Sequence, residues 1–211
     1  MDNKIVIKIF SCIKRINYAK SLSQKLGIGL DNIWFDSRKD VARSFCYEVA
    51  NAWESLENND ADWAMLIQDD VEVCNNFIEL CNKIVYSHKD TIFSLFPFDY
   101  IPMLRKNVNM DRNNPYWEVD ILSGCCIIVP MKYIHDMVKS MRGIKNAKSG
   151  DDQAIAQFAY YNKIPLLTTI PSLIQHIGDV SILDPSKPIR RTQYFEENPV
   201  ANWSSQKINK L

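Results

Sequence analysis

Residues 66–73 read LIQDDVEV, a hydrophobic run that delivers two adjacent carboxylates, Asp69 and Asp70. Acidic side chains are costly to bury unless they are paired or bound to a cation. Oxygen donors of this kind suit Mg²⁺ or Mn²⁺, which commonly bind through one or two carboxylates plus substrate phosphates. The plainer alternative is a solvated turn whose carboxylates cap the following helix. A second acidic pair, Asp151-Asp152, follows Gly150 at a predicted helix start. Acids there favour the helix dipole by ~0.3–1 kcal/mol each, which alone accounts for them. His176 follows a predicted strand in IQHIG, where a histidine is more often structural than a ligand. Ser123-Gly124 interrupts an apolar stretch; a glycine there permits close approach to a ligand, or a plain bend.

Several other chemistries lack their residues. The chain has six glycines and holds neither G-x-G-x-x-G nor G-x-x-x-x-G-K-[ST], so the phosphate loops of dinucleotide binding and P-loop hydrolysis are missing. There is no G-x-S-x-G nucleophile elbow. Only His88, His135 and His176 are available as triad bases. Phosphates, if bound, must be held by a metal or by basic side chains.

The elements that position these residues alternate. Residues 4–10 (KIVIKIF) form a β-branched run that predicts a first strand. Ile16, Ala19, Leu22 and Leu26 recur at helical spacing, and Gly27 and Gly29 end that helix. Residues 32–35 (NIWF) predict a second strand stopping at Asp36, and Val41, Phe45, Val49, Ala52 and Leu56 a second helix. Residues 63–67 (WAMLI) are wholly apolar, as in a central parallel strand covered on both faces. Asn75 or Asn76 is placed to cap a helix carrying Phe77, Leu80, Cys81 and Ile84. Residues 91–96 predict another strand, and the polar stretch from Pro97 to Tyr116 a long loop. Residues 118–122 and 125–129 are strand-like, residues 131–141 helical, and residues 166–170 a last core strand. The pattern predicts an α/β fold, a single sandwich with a central, mostly parallel sheet flanked by helices. Ligands of such sheets bind at the carboxyl ends of the strands, which is where Asp36, residues 68–70 and the segment around His176 fall.

Bulk properties set the bounds. A chain of 211 residues can bury one full core, expected over residues 1–183, with a C-terminal tail or arm over residues 184–211. Lys+Arg and Asp+Glu both total 25, so there is no global basic excess of the kind duplex-DNA binders carry. The tail holds Lys187, Arg190, Arg191, Lys207 and Lys210, either a phosphate-binding arm or a solvated polar segment. Cys12, Cys46, Cys74, Cys81, Cys125 and Cys126 contain no C-x-x-C pair, which predicts free thiols in a reducing compartment. The N-terminus is too charged for a signal peptide, and no run reaches the roughly 18 apolar residues of a spanning helix, so a cytoplasmic protein without a transmembrane segment is expected.

In this order the four features form a stronger signal. Gln68-Asp69-Asp70, Ser123-Gly124, Asp151-Asp152 and His176, with the flanking phrases IVIKIFSCIKR, SGCCIIVP and IPSLIQHIG, resemble the GT-A fold glycosyltransferases over roughly residues 4–180. The resemblance implies transfer of a sugar from a nucleotide-sugar donor, UDP-linked, with Mn²⁺ or Mg²⁺ as cofactor. It implies Asp70 and His176 as metal ligands, with Asp69 at the metal or ribose. Asp152, then Asp151, would be the base of an inverting reaction. Donor contacts would come from Ser11, Arg15, Asp36, Arg38, Gln68 and Asp69. Arg15, Arg38 and Arg43 have plain surface charge as their alternative. Acceptor contacts would come from the loop beginning at Pro97, from Trp117 and from Ser123-Gly124.

Two departures stand out. The D-x-D motif has Gln68 at its first position, and the usual Glu-Asp pair is Asp-Asp, one methylene shorter. The residues do not choose the acceptor; a surface glycan or lipopolysaccharide and a modified base in phage DNA are the two candidates. A nucleotidyltransferase and a non-catalytic nucleotide-sugar-binding module are the alternatives.

Overall fold

The structure is a computed structural model and describes residues 4–37, 45–57, 60–97, 111–143, 150–177 and 191–210. Arg38, Arg43, Lys187, Arg190 and most of the loop after Pro97 lie outside the described residues.

The β-branched N-terminal run forms β1 (Ile5–Cys12), which pairs in parallel with β2 (Ile33–Asp36) on one side and β3 (Trp63–Gln68) on the other. Between β1 and β2 lies α1 (Ile16–Leu26), which buries Ala19, Leu22 and Leu26. It stops at Gly27, whose φ of 68° is left-handed and suits a residue without Cβ. α2 (Phe45–Glu54) leads towards β3. After β3 come β4 (Val71–Val73), α3 (Phe77–Ser87), β5 (Ile92–Ser94), β6 (Tyr116–Glu118), β7 (Cys126–Pro130) and α4 (Met131–Gly143). The chain continues through α5 (Asp151–Asn162), β8 (Leu166–Thr169), β9 (Ile174–His176) and β10 (Asn209–Lys210).

Eight strands form one sheet in the order β10-β6-β8-β5-β7-β3-β1-β2. β1, β2, β3, β5 and β8 run in one direction, because β7 is antiparallel to both β3 and β5 while β5 and β8 are parallel. Their carboxyl ends, and the segment entering β7, therefore share one edge. The apolar alternation divides cleanly between the faces. Trp63, Met65, Ile67, Cys126 and Ile128 pack with α1 and α3. Ala64, Leu66, Ile127 and Val129 pack with α2, α4 and α5. Burial on both faces is why residues 63–67 read as an unbroken apolar run. Ile67 is fully buried, so truncating it to alanine removes about 2–5 kcal/mol.

Three expectations differ from the fold. Asn76 stands at the start of α3, but in a left-handed conformation (φ 56°) with no side-chain capping bond. Residues 119–122 are not strand, because the ladder to β8 ends at Glu118 and the chain turns back towards β7. Residues 191–210 are not a solvated tail. Trp203 and Tyr194 are buried, and the Trp203 carbonyl accepts bonds from Ser87 Oγ (2.8 Å) and the Tyr116 hydroxyl (2.5 Å). Arg112 grips Glu196 through both guanidinium nitrogens, and β10 pairs with β6. No helix among the described residues is long and apolar enough to cross a membrane.

Candidate functional site

At the carboxyl end of β3 the chain leaves the sheet at Gln68 and turns through Asp69 and Asp70. The turn is fixed by backbone bonds. The Asp69 N–H donates to the Phe10 carbonyl (3.1 Å), continuing the ladder to β1, and the Ile177 N–H donates to the Asp70 carbonyl (2.9 Å). β4 then pairs antiparallel with β9, placing Val71 opposite His176. This two-stranded ribbon closes a sequence separation of 106 residues and sets His176 Nε2 2.9 Å from Asp70 Oδ2. The C-terminal strap secures β9, since Gln175 exchanges bonds with Thr192: Nε2 to the carbonyl (2.9 Å) and N–H to Oε1 (3.0 Å).

Both carboxylates are buried, Asp69 at 4% and Asp70 at 3% exposure. Ser11 Oγ, at the end of β1, donates to Asp69 Oδ2 (2.6 Å). Arg15, in the single turn of 3₁₀ helix that precedes α1, places Nη1 3.0 Å from Asp69 Oδ1 and also pairs with Asp70 Oδ2. Burial pushes both acids up. For Asp70 the His176 bond, the His176 charge and Arg15 outweigh burial, and its carboxyl lies below the ordinary range. For Asp69 burial outweighs the Ser11 bond and Arg15, and the Asp70 charge adds to it, so its carboxyl lies above. One arginine compensates one of two adjacent negative charges. Asp70 Oδ1 and His176 Nδ1 are buried and have no hydrogen-bond partner among the described residues.

The second acidic pair opens α5 on the same edge. Asp151 is buried, and burial followed by the Asp152 charge pushes its carboxyl up to about 7. Gly124 makes room for it: a Cβ built there would stand 3.1 Å from Asp151 Oδ2 and 3.2 Å from Oδ1. Asp152 is half-buried, and its Oδ1 accepts the Gln153 N–H (2.8 Å). Cys125 lies between the two acidic groups. Burial pushes its thiol up to about 12 despite the Ser123 bond, with Asp70, Asp151 and Asp152 all adding to the rise. All six cysteines are free.

The structure thus brings Ser11, Arg15, Asp69, Asp70 and His176 into one cluster, and Gly124 against Asp151. Ser123 is buried, and its backbone carbonyl and N–H both bond the Ser94 hydroxyl, which holds the β5–β7 junction. Gln68 is half-buried beside Phe10, and Asp36 ends β2 opposite Cys12, two strands from β3. Trp117 is not part of the cluster. β6 is four strand spacings from β3, roughly 19 Å, and Trp117 lies between β8 and β10. Arg15 reaches the acidic pair, not the space over β2. Sequence reasoning missed the β4–β9 ribbon and the strap behind it; the alternations VEV and IQH were the available signal.

A divalent cation fits the donor set by its chemistry. Asp70 offers a buried oxygen without a partner and His176 an imidazole nitrogen beside it. Among the described residues no group of three or more His, Cys, Asp and Glu side chains forms a complete cage. Such a site leaves positions to the phosphates of a ligand, as magnesium sites usually do.

No family model and no curated protein matches the sequence. Solved structures do resemble it. GalNAc-T7, in a structure with UDP, GalNAc and Mn²⁺, superposes with a TM-score of 0.50 at 9% identity over 95% of this chain. The chain spans 47% of that protein's length. A glycosyltransferase involved in glycosylation of the major capsid of PBCV-1 gives a TM-score of 0.47 at 13% identity, covering 83% of this chain and 94% of its own. The CTP:phosphocholine cytidylyltransferase LicC from Streptococcus pneumoniae gives 0.44 at 10% identity, covering 82% and 93%. The fold of this chain is a GT-A-like glycosyltransferase fold.

Proposed function

We propose that the chain is a glycosyltransferase that uses a nucleotide-sugar, UDP-linked, and a divalent cation. The observation that carries this reading is the buried, unpartnered Asp70 Oδ1 beside His176, at the strand ends of a GT-A-like fold. Mn²⁺ or Mg²⁺ held by Asp70 and His176 would supply Lewis-acid neutralisation of the charge that builds on the departing diphosphate. Asp69, held by Ser11, faces the ribose or the cation. Ser11, Asp36 and Gln68, with Arg38 from outside the described residues, serve the nucleoside side.

The bond from the anomeric carbon to the diphosphate oxygen breaks while the acceptor oxygen bonds to that carbon from the opposite face. The acceptor proton passes to a carboxylate, a contribution of ~10²–10⁴-fold. Asp152 is the base in this reading, because it is half-buried at the start of α5, whereas Asp151 is buried against Gly124. Two adjacent carboxyls in unlike surroundings divide roles: burial and the Asp152 charge raise the Asp151 carboxyl to about 7, which sets it apart from an ordinary carboxylate base. Inversion at the anomeric carbon follows from such a base. The acceptor is a hydroxyl of a glycan or of a modified DNA base. The test is release of UDP from a panel of UDP-sugars with Mn²⁺. Wild type is expected to release UDP and Asp70→Asn to release none; equal release by both removes the proposal.

A further inference from the structure

The cation that the acidic pair already holds is one of its own side chains. Arg15 Nη1 contacts a carboxylate oxygen of each aspartate, and its side chain is 18% exposed. It shares Asp70 Oδ2 with His176 Nε2, while Asp70 Oδ1 is left without a partner. A divalent ion arriving at Asp70 and His176 would therefore come against a guanidinium on the same carboxylate. Two cations on one carboxylate in a buried setting repel strongly, because little solvent screens them. Arg15 precedes α1 with no helical hydrogen bond tying its side chain, and its planar donor fork matches phosphate as well as carboxylate.

We propose that Arg15 is an exchangeable counter-ion: it neutralises Asp69 and Asp70 while no metal is bound, gives up Asp70 to the divalent ion, and turns to the donor's diphosphate. This rests on the metal-dependent reading above and adds a role for Arg15 that opposes binding of the metal alone. Its signature is two effects of opposite sign. Without Arg15 the metal meets no competitor, so it binds more tightly alone. The diphosphate loses a donor fork, so it binds more weakly in the presence of metal. A merely structural arginine would weaken both.

The experiment is calorimetry with Mn²⁺ alone, and then with UDP at saturating Mn²⁺, on wild type, Arg15→Met and Arg15→Lys. Arg15→Met is expected to bind Mn²⁺ about tenfold more tightly and UDP about tenfold more weakly, within the usual range of coupling between sites. Arg15→Lys keeps the charge and is expected to bind Mn²⁺ within about threefold of wild type. Wild-type protein gives a second readout if Arg15→Met does not fold. The Arg15 Nε–H resonance, assigned by its loss in Arg15→Lys, is expected to shift on adding diamagnetic Mg²⁺. Unchanged or weaker Mn²⁺ binding by Arg15→Met overturns the exchange but leaves the metal site standing, and so does an Arg15 resonance indifferent to Mg²⁺. Failure of wild type to bind Mn²⁺ even with UDP overturns both the exchange and the metal-dependent reading.

Discussion

Replacing Asp151 by asparagine is expected to stabilise the protein, and to do so only above about pH 5. The carboxyl is buried at the start of α5, beside Asp152, and burial with that neighbouring charge raises it to about 7. In the unfolded chain an aspartate ionises near about 3.9. Between these values the unfolded state is ionised while the folded state keeps its proton, so stability falls as pH rises through the window and levels off above pH 7. At about 1.4 kcal/mol per tenfold, the full displacement corresponds to at most about 4 kcal/mol. Asparagine fits the same space beside Gly124 and carries no proton to lose. Urea denaturation at pH 4.5, 6 and 8 measures the difference. Wild type and Asp151→Asn are expected to differ little at the lowest pH, with the variant ahead by about 2–4 kcal/mol at the highest. A difference that does not change with pH, or a variant that is less stable at pH 8, refutes the burial argument.

The other predictions concern the division of roles. Asp70→Asn is expected to lose UDP binding, whereas Asp152→Asn keeps it and loses transfer by ~10²–10⁴-fold; calorimetry paired with a transfer assay separates them, and equal loss of UDP binding contradicts the assignment. His176→Ala is expected to raise the Mn²⁺ concentration for half-maximal UDP binding, with little change in melting temperature without metal. Gly124→Ala brings a Cβ to 3.1 Å from Asp151 Oδ2, so the carboxylate must give by a few tenths of an ångström. Transfer is expected to slow about several-fold at unchanged UDP affinity, because reaction rates are steep in sub-ångström misplacement. Trp203→Ala empties a buried site under the strap and is expected to cost about 3–5 kcal/mol in urea denaturation.

Much of this arrangement was legible where one physical signal dominated. The unbroken apolar run of residues 63–67 announced a strand covered on both faces, and the carboxylates that end it had to meet a cation, which Arg15 supplies. Gly27 marked the end of α1 because its left-handed backbone suits glycine. Asp151 and Asp152 opened a helix as read, although their ordinary role at a helix N-terminus masked how deeply Asp151 is buried. The β4–β9 ribbon escaped notice because three residues are too few for alternation to register, yet it alone carries His176 to Asp70. Trp117 looked available because aromatic type says nothing of position, and the sheet order sets it roughly 19 Å from β3. Arg15 has a long, flexible side chain whose target only the tertiary structure chooses. The strap over residues 191–210 was hidden by its polar composition, with burial concentrated at Tyr194 and Trp203.

The central claim is that Asp70 and His176 hold a divalent ion through which the donor's diphosphate binds. Isothermal titration of UDP into the protein with Mn²⁺, and again after EDTA, tests it most directly. The account predicts saturable binding with Mn²⁺ that disappears with EDTA, and no Mn²⁺-dependent binding by Asp70→Asn. Equal UDP affinity in Mn²⁺ and in EDTA would contradict it.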